Sequence, residues 1–183
     1  MVTVNEILGG MFTSRLNMNL REGKHWSYGA GSTLASAEGQ RPFAASASVQ
    51  RDKTAESMVE MRKELEGVAG KLPFTAAEIA AAKDSLGLSL PGQNETTPQV
   101  LGSISTIVTY GLPDDYYDTF SGKLNALDAA DLAAAAKRLV HPEAFTWLVI
   151  GDLARIEAPI RELGRKLGFG EVKVLDADGT ELR

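Results

Sequence analysis

Residues 14–30 decide the fold of this chain, and they read SRLNMNLREGKHWSYGA. Apolar residues recur at helical spacing through this stretch and before it, namely Val4, Ile7, Leu8, Met11, Phe12, Leu16 and Met18. Gly23 then acts as a stop signal, so the pattern predicts one long amphipathic helix over residues 2–22. A tight corner follows, with Arg21 at the helix end and Tyr28 seven positions later in a strand.

Three polar residues share one face of the predicted helix, because Arg15, Asn19 and Glu22 are three or four positions apart. They lie beside the apolar stripe, and we interpret them as a polar strut in which Arg15 pairs with a carboxylate. A buried arginine must be paired, and such pairs are usually architectural. We therefore assign no catalytic role to these three residues.

A β-hairpin is predicted after the corner. Small and β-branched residues alternate from Trp26 to about Ala37 and from Pro42 to Gln50, around a turn of sequence AEGQ at positions 37–40. The strands are unusually rich in small side chains: Gly29, Ala30, Gly31, Ser32, Ala44, Ala45 and Ser46. These allow a second backbone or a helix to approach closely, and packing is a better reason for them than ligand approach.

The rest of the chain predicts mainly helices. Asp52 opens a helix through about Gly70, with Met58, Met61, Leu65 and Val68 on one stripe. Thr75 and Glu78 form a capping box for a second helix that ends near Leu86 and Gly87, before a loop over residues 88–95. Further helices are expected over residues 97–109, from Pro113 onwards, over residues 129–139 behind Asp128, and, as a short helix with Pro159 in its first turn, up to Gly168.

Two later strands complete the prediction, an apolar one over residues 145–150 and a weak one over residues 171–175. The order of elements predicts an α+β fold, in which a mostly antiparallel sheet forms one layer and helices pack over one of its faces. The length and ordinary composition of the chain favour a single domain over residues 1–183.

Composition excludes several classes of function. The net charge of −5 and the absence of a basic cluster argue against nucleic acid as a partner. No apolar run reaches the roughly 18 residues that a membrane span requires, so the sequence predicts a soluble chain without a membrane partner. The chain has no cysteine, which excludes disulfides and thiolate zinc sites but is compatible with either the cytoplasm or a bacterial periplasm.

The stretch NEILGGMF at positions 5–12, together with residues 14–30, resembles the second-half signature of the pitrilysin/insulinase family of zinc metallopeptidases, which includes the mitochondrial processing peptidase. Later landmarks are similar to the same module: PFT at 73–75, YGLP at 110–113 and VIGD at 149–152. The resemblance implies a two-layer α+β module whose sheet begins with strands ahead of the first long helix. Those opening strands are not found ahead of the helix here, and we expect that the module lacks them.

The zinc motif of this family is absent from the sequence. That motif is an inverted His-x-x-Glu-His on a helix with a further glutamate downstream, whereas only His25 and His141 occur here, each beside a turn and neither with a second ligand at the required spacing. Both are better interpreted as ordinary turn histidines. There is also no cysteine and no Gly-x-Ser-x-Gly nucleophile motif. We therefore expect no metal and no cofactor in this chain, with zinc in a partner half.

Arg21 and Tyr28 remain as candidate site residues. A guanidinium offers a rigid fork of donors and a phenol a directional O–H, so the two together can hold a peptide carbonyl and stabilise the oxyanion formed on it. In the resembled family the inactive half contributes such a pair to an active site that the other half completes with zinc. His25 and Trp26 depart from the glycine and aliphatic residue more usual there. The alternative is a helix-end arginine that neutralises the dipole and a tyrosine in the core.

The resemblance therefore implies the non-catalytic, substrate-binding half of a zinc metalloendopeptidase. Its partners would be a zinc-bearing subunit or preceding domain and a peptide substrate, and self-association through an exposed sheet edge is plausible. Two alternatives stay open: an inactive structural subunit of the same fold, and an autonomous peptide-binding module.

Overall fold

A computed structural model describes residues 1–182 and shows an α+β fold of eight helices and one antiparallel hairpin within that range. The helices are α1 (Val2–Asn5), α2 (Arg15–Asn17), α3 (Thr54–Glu66), α4 (Ala76–Gly92), α5 (Thr97–Tyr110), α6 (Tyr116–Ala126), α7 (Ala129–Leu139) and α8 (Leu153–Leu167). Three of them continue as wider π-helical turns, α1 over Glu6–Gly10, α2 over Met18–Gly23 and α3 over Gly67–Lys71. The strands are β1 (Ser27–Leu34) and β2 (Phe43–Val49).

The prediction of one continuous helix over residues 2–22 is wrong, because the chain leaves the helix between α1 and α2. Met11 is extended at φ −104° and ψ 163°, and Ser14 is extended at φ −66° and ψ 157°. Gly9 and Gly10 precede the break, and glycine is a poor helix former. The side-chain amide of Asn17 donates to the Phe12 carbonyl at 2.7 Å and holds the turn. The predicted stop at Gly23 is confirmed.

The hairpin is confirmed, and the structure shows why its strands carry small residues. A Cβ atom added to Gly9 would lie 2.2 Å from the backbone nitrogen of Ser32, and one added to Gly31 would lie 2.9 Å from the Gly9 carbonyl oxygen. The end of α1 therefore lies directly against the backbone of β1. Packing, as predicted, accounts for the small side chains at this contact.

The next two helices begin as predicted, but the second runs further. The Thr75 hydroxyl accepts from the Glu78 N–H at 3.2 Å, while the Glu78 carboxylate accepts from the Thr75 N–H at 2.8 Å, which confirms the capping box. Helix α4 continues through Gly87 to Gly92, so the predicted end and the predicted loop over 88–92 are wrong. One glycine costs a helix only about 1 kcal/mol, and Gly87 therefore weakens α4 without ending it.

The remaining helices agree with the sequence in type and differ in some boundaries. Helix α5 runs one residue beyond the predicted range, to Tyr110, and is followed by Gly111 in the left-handed conformation (φ 57°). The carboxylate of Asp128 caps α7, as predicted. Helix α6 begins three residues after Pro113. Helix α8 has 15 residues and carries Pro159 in its interior, which corrects the prediction of a short helix with proline in the first turn.

Neither later strand joins the sheet. The backbone of residues 145–150 makes no hydrogen bond with any other group in residues 1–182, and no strand is formed there. In place of a strand over 171–175 there is a single antiparallel bridge between Leu175 and Glu181. The prediction that the module lacks its first strands stays a prediction.

The core lies between the first two helices, α3, α7 and the inner face of the hairpin. Ile7, Leu8, Leu16 and Leu20 are fully buried, and burying each such side chain contributes about 1.5–3 kcal/mol. By contrast α5 buries none of its residues, and it exposes Leu101, Ile104 and Val108. Within residues 1–182, no helix combines the length and apolarity needed to cross a membrane.

Candidate functional site

The candidate site is the helix–strand corner, residues 21–30, and backbone hydrogen bonds fix its course. The His25 N–H donates to the Arg21 carbonyl at 3.1 Å, and the Trp26 N–H donates to the Leu20 carbonyl at 3.0 Å. His25 has a positive φ of 58°, the left-handed conformation that glycine adopts most easily. Gln50 closes the corner from β2, since its side-chain amide donates to the His25 carbonyl at 2.9 Å.

Arg21 lies at the end of α2 with its donors largely unused. Its guanidinium carbon lies 4.4 Å from the centre of the Phe12 ring, and its Nε is 3.5 Å from the Glu22 carboxylate. Among residues 1–182, the Arg21 side chain makes no hydrogen bond. The aromatic ring therefore supports the guanidinium at the surface and leaves its N–H groups available to an incoming acceptor.

Tyr28 is 99% exposed, which excludes the alternative of a core tyrosine. It lies in a β-bulge between Ser27 and Ala30, and bulges re-aim side chains. The bulge is held by the Ser27 hydroxyl, which lies 2.6 Å from the Gly29 carbonyl and 2.7 Å from the Ser48 carbonyl, and which accepts from the Gly29 N–H at 3.0 Å. Hydrogen bonds thus tie down the backbone that carries Tyr28, while its ring lies in solvent.

Asn17 links the two candidates, and sequence reasoning missed it. Its amide nitrogen donates to the carbonyl of Phe12, whose ring supports Arg21, and its amide oxygen accepts from the Ala30 N–H at 3.2 Å, at the end of the bulge. Phe12 was predicted to join the apolar stripe but is 64% exposed. A buried asparagine among apolar helix positions is the signal that could have identified Asn17, which is only 5% exposed.

The predicted polar strut is a separate structure at the other end of α2. Arg15 makes a bidentate ion pair with Glu78, with Nε to Oε1 at 2.6 Å and a terminal nitrogen to Oε2 at 2.9 Å. The guanidinium also donates to the carbonyls of Leu72 and Pro73. Burial raises the pKa of Glu78, but hydrogen bonds from Arg15 and Thr75 outweigh it and hold the pKa below the usual 4.5.

The other two members of the predicted trio differ from Arg15. The Asn19 amide donates to the carboxylates of Glu60 at 2.9 Å and Glu64 at 2.6 Å, so Asn19 belongs to a second polar contact with α3. Glu22 is exposed and contacts Arg21 instead. The prediction that Arg15 pairs with a carboxylate is confirmed, whereas the inclusion of Glu22 in the strut is wrong.

The described residues offer no zinc site. Within residues 1–182, no group of three or more His, Cys, Asp or Glu side chains is placed to hold a metal ion. His141 lies at the surface, 3.7 Å from Glu143, and His25 belongs to the corner.

The fold agrees with comparisons to known proteins. Residues 1–86 match the family described as peptidase M16 inactive domain. The inactive domain of an M16 peptidase from Pseudomonas fluorescens is 21% identical, with a TM-score of 0.70 over 77% of this chain and 34% of that chain. A conserved protein from Enterococcus faecalis is 24% identical, with a TM-score of 0.64 over 75% of this chain and 32% of that chain.

A protease from Helicobacter pylori is 18% identical, with a TM-score of 0.61 over 75% of this chain and 33% of that chain. This chain spans about a third of the length of these three proteins. No curated protein matches it. The structural likeness shows the fold, and the match over residues 1–86 supports the M16 peptidase family and a place among its inactive domains.

Proposed function

We propose that this chain is the non-catalytic, substrate-binding half of a zinc metalloendopeptidase. It completes the active site of a zinc-bearing partner, either a separate subunit or a preceding domain, through Arg21 and Tyr28. The observation that carries the proposal is the placement of Tyr28: a 99% exposed tyrosine on a pinned bulge has no packing role, yet its backbone is firmly held. The match of residues 1–86 to an inactive peptidase domain supports a substrate-binding role for such a residue.

The chemistry follows from the donors at the corner. Residues of the partner would hold the zinc, which would supply an activated water for attack on the peptide carbonyl. In this chain, Arg21 donates to a peptide carbonyl of the bound substrate, and the Tyr28 hydroxyl donates to the oxyanion that develops as the carbonyl carbon becomes tetrahedral. Arg21 contributes to binding before charge develops, whereas Tyr28 contributes most in the transition state.

The alternative function is an inactive assembly subunit, and the exposed face of α5 favours it. Leu101, Ile104 and Val108 are 62%, 53% and 75% exposed on one helix, and clustered exposed apolar residues mark association surfaces. The open edges of the hairpin also allow two copies of this chain to pair. An assembly role alone gives no reason for an exposed tyrosine and an arginine with unused donors in the same helix–strand corner.

Reconstitution tests the proposal. The partner is the polypeptide that co-purifies with this chain and carries a His-x-x-Glu-His motif. We expect neither half to cleave a fluorogenic peptide alone, the mixture to cleave it, and metal analysis to find zinc only in the partner. One tightly held zinc per molecule of this chain, or full activity of the partner alone, would overturn the proposal.

Arg21→Ala sharpens this test in the reconstituted enzyme. We expect a rise in KM together with a fall in kcat, because the guanidinium contacts both the substrate and the transition state. Arg165→Ala on α8 is the matched control, since Arg165 is an exposed arginine at a helix end far along the chain from the corner. Equal turnover by both variants would favour the assembly subunit.

A further inference from the structure

The buried amide of Asn17 joins three segments of the chain that meet at the corner. Asn17 lies on α2, four positions before Arg21. Its Nδ2 donates to the Phe12 carbonyl at 2.7 Å, in the break at residues 11–14. Its Oδ1 accepts from the Ala30 N–H at 3.2 Å, at the end of the bulge in β1. One side chain therefore connects the helix, the break and the bulge.

Each of these three segments carries part of the candidate site. The break carries Phe12, whose ring centre lies 4.4 Å from the guanidinium carbon of Arg21. The bulge carries Tyr28, two positions before Ala30. The helix carries Arg21 itself. The two hydrogen bonds of the Asn17 amide therefore bear on the positions of both proposed donors.

Little else connects the bulge to α2. The rings of Phe12 and Tyr28 are largely exposed, so core packing does not fix either of them. The Ser27 hydroxyl joins the bulge to β2 through the Ser48 carbonyl, on the side away from the helix. Within residues 1–182, the hydrogen bond between the bulge and α2 is the one from the Ala30 N–H to Asn17.

The two bonds require a side chain with both a donor and an acceptor. A backbone carbonyl only accepts and a backbone N–H only donates, so the group between Phe12 and Ala30 must donate on one side and accept on the other. An amide does both, an ionised carboxylate only accepts, and an aliphatic side chain does neither. Asn17→Leu therefore removes both bonds and Asn17→Asp removes one, while each keeps the branched shape of the side chain.

We propose that Asn17 is a positioning residue for the peptidase reaction. It holds the Phe12 backbone so that the ring supports Arg21, and it holds the bulge so that the Tyr28 hydroxyl meets the developing oxyanion. The inference rests on the proposed function, in which Arg21 and Tyr28 act on the substrate. A displacement of about 1 Å can cost on the order of 100-fold in rate, so a buried amide can control turnover without contacting the substrate.

Asn17→Leu in the reconstituted enzyme is the first test. We expect kcat/KM to fall by about 10- to 100-fold, with a lower kcat and a higher KM, because both donors lose their alignment. Leu163→Ala on α8 is the control, since it removes buried apolar volume and leaves both bonds of Asn17 in place. Both variants should lower the thermal midpoint of this chain, but the control should keep kcat and KM within about twofold.

Asn17→Asp separates the two bonds. At a pH where the new carboxylate is ionised, it accepts from the Ala30 N–H but no longer donates to the Phe12 carbonyl. We expect KM to rise by about fivefold and kcat to fall by less than about twofold, because Arg21 shifts while the bulge stays in place. In the isolated chain, exchange of the Ala30 amide should be about tenfold faster for Asn17→Leu and unchanged for Asn17→Asp.

Arg21→Ala and Tyr28→Phe are assayed alongside, to separate this inference from the proposed function. If both of them lower turnover while Asn17→Leu lowers only the thermal midpoint, the amide is structural and the inference alone is wrong. An equal loss of kcat in Asn17→Leu and Leu163→Ala would overturn it as well. If Arg21→Ala, Tyr28→Phe and Asn17→Leu all keep full turnover, the proposed function is wrong and this inference fails with it.

Discussion

The two ends of helix α2 carry arginines in opposite situations. Arg15 is 11% exposed and joins a bidentate ion pair, two backbone carbonyls and the ring of Phe74. Arg21, on the same helix, is 35% exposed and contacts one ring and one exposed carboxylate. Arg15 donates hydrogen bonds that stabilise the fold, whereas the side-chain donors of Arg21 form no hydrogen bond within residues 1–182. The proposed site residue Arg21 therefore differs from the structural Arg15 in the hydrogen-bond donors it leaves unused, although both lie on the same helix.

The largest expected effect is at the close contact between α1 and β1. Gly9→Ala should destabilise the chain by about 3 kcal/mol or more, because the new Cβ would lie 2.2 Å from a backbone nitrogen that cannot move alone. Gly29→Ala in the corner is the matched control, since its Cβ would meet nothing closer than 3.9 Å. Chemical denaturation measures the free energy of unfolding of both variants. Equal losses of stability would show that the corner at Gly29 is packed as tightly as the contact between α1 and β1.

Arg15→Ala should cost about 3 kcal/mol, because it leaves the partly buried Glu78 and two carbonyls without their donor. Arg21→Ala should cost about 0.5–1 kcal/mol, the usual size of an exposed cation–π contact. Urea midpoints of the two variants give the comparison. A loss at Arg21 as large as that at Arg15 would make Arg21 architectural.

Low pH should destabilise the chain by weakening the ion pair between Arg15 and Glu78. The folded-state pKa of Glu78 is lowered, so its contribution is present above about pH 4.5 and is lost as pH falls through the folded value. The difference in unfolding free energy between the natural chain and Glu78→Gln should therefore be constant at neutral pH and shrink below pH 4.5. A difference that stays constant down to pH 2 would contradict the lowered pKa.

Local signals in the sequence predicted the parts of the fold that depend on local interactions. The Thr75–Glu78 box, the Asp128 cap and the pairing of Arg15 follow from spacing and from the cost of burying a charge. The close contact between Gly9 and β1, which lies more than 20 positions away in sequence, depends on how distant elements pack. The unpaired state of residues 145–150 depends likewise on which strands lie beside them, and no local pattern encodes that.

The candidate site was predictable only in part. Arg21 and Tyr28 came from a resemblance, and nothing in their spacing distinguishes an exposed tyrosine from a core one. Exposure of Tyr28 arises from the bulge, which the Ser27 hydroxyl and Asn17 create through bonds to backbone groups. Side chains that bond to irregular backbone leave little trace in apolar periodicity.

The smallest expected stability change is at the corner itself. His25→Gly should stabilise the chain by about 0.5 kcal/mol, because glycine relieves the left-handed strain at φ 58° but loses more entropy on folding. Lys24→Gly, whose φ is −100°, has no strain to relieve and should destabilise the chain by about 1 kcal/mol or more, because it also removes the contacts of Lys24 with Glu60 and the Trp26 ring. The melting temperatures of both variants test this prediction. A lower melting temperature for His25→Gly would mean that the His25 imidazole makes a stabilising contact.

The central claim is that Tyr28 serves the substrate and not the fold, and Tyr28→Phe in the assembled peptidase tests it most directly. We expect kcat to fall by about 100- to 1,000-fold, as for the loss of one oxyanion donor, with the thermal midpoint of this chain unchanged. Tyr110→Phe at the end of α5 is the control and should leave kcat as it is. Turnover by Tyr28→Phe within about twofold of the natural enzyme would contradict the account, and would make this chain an assembly subunit.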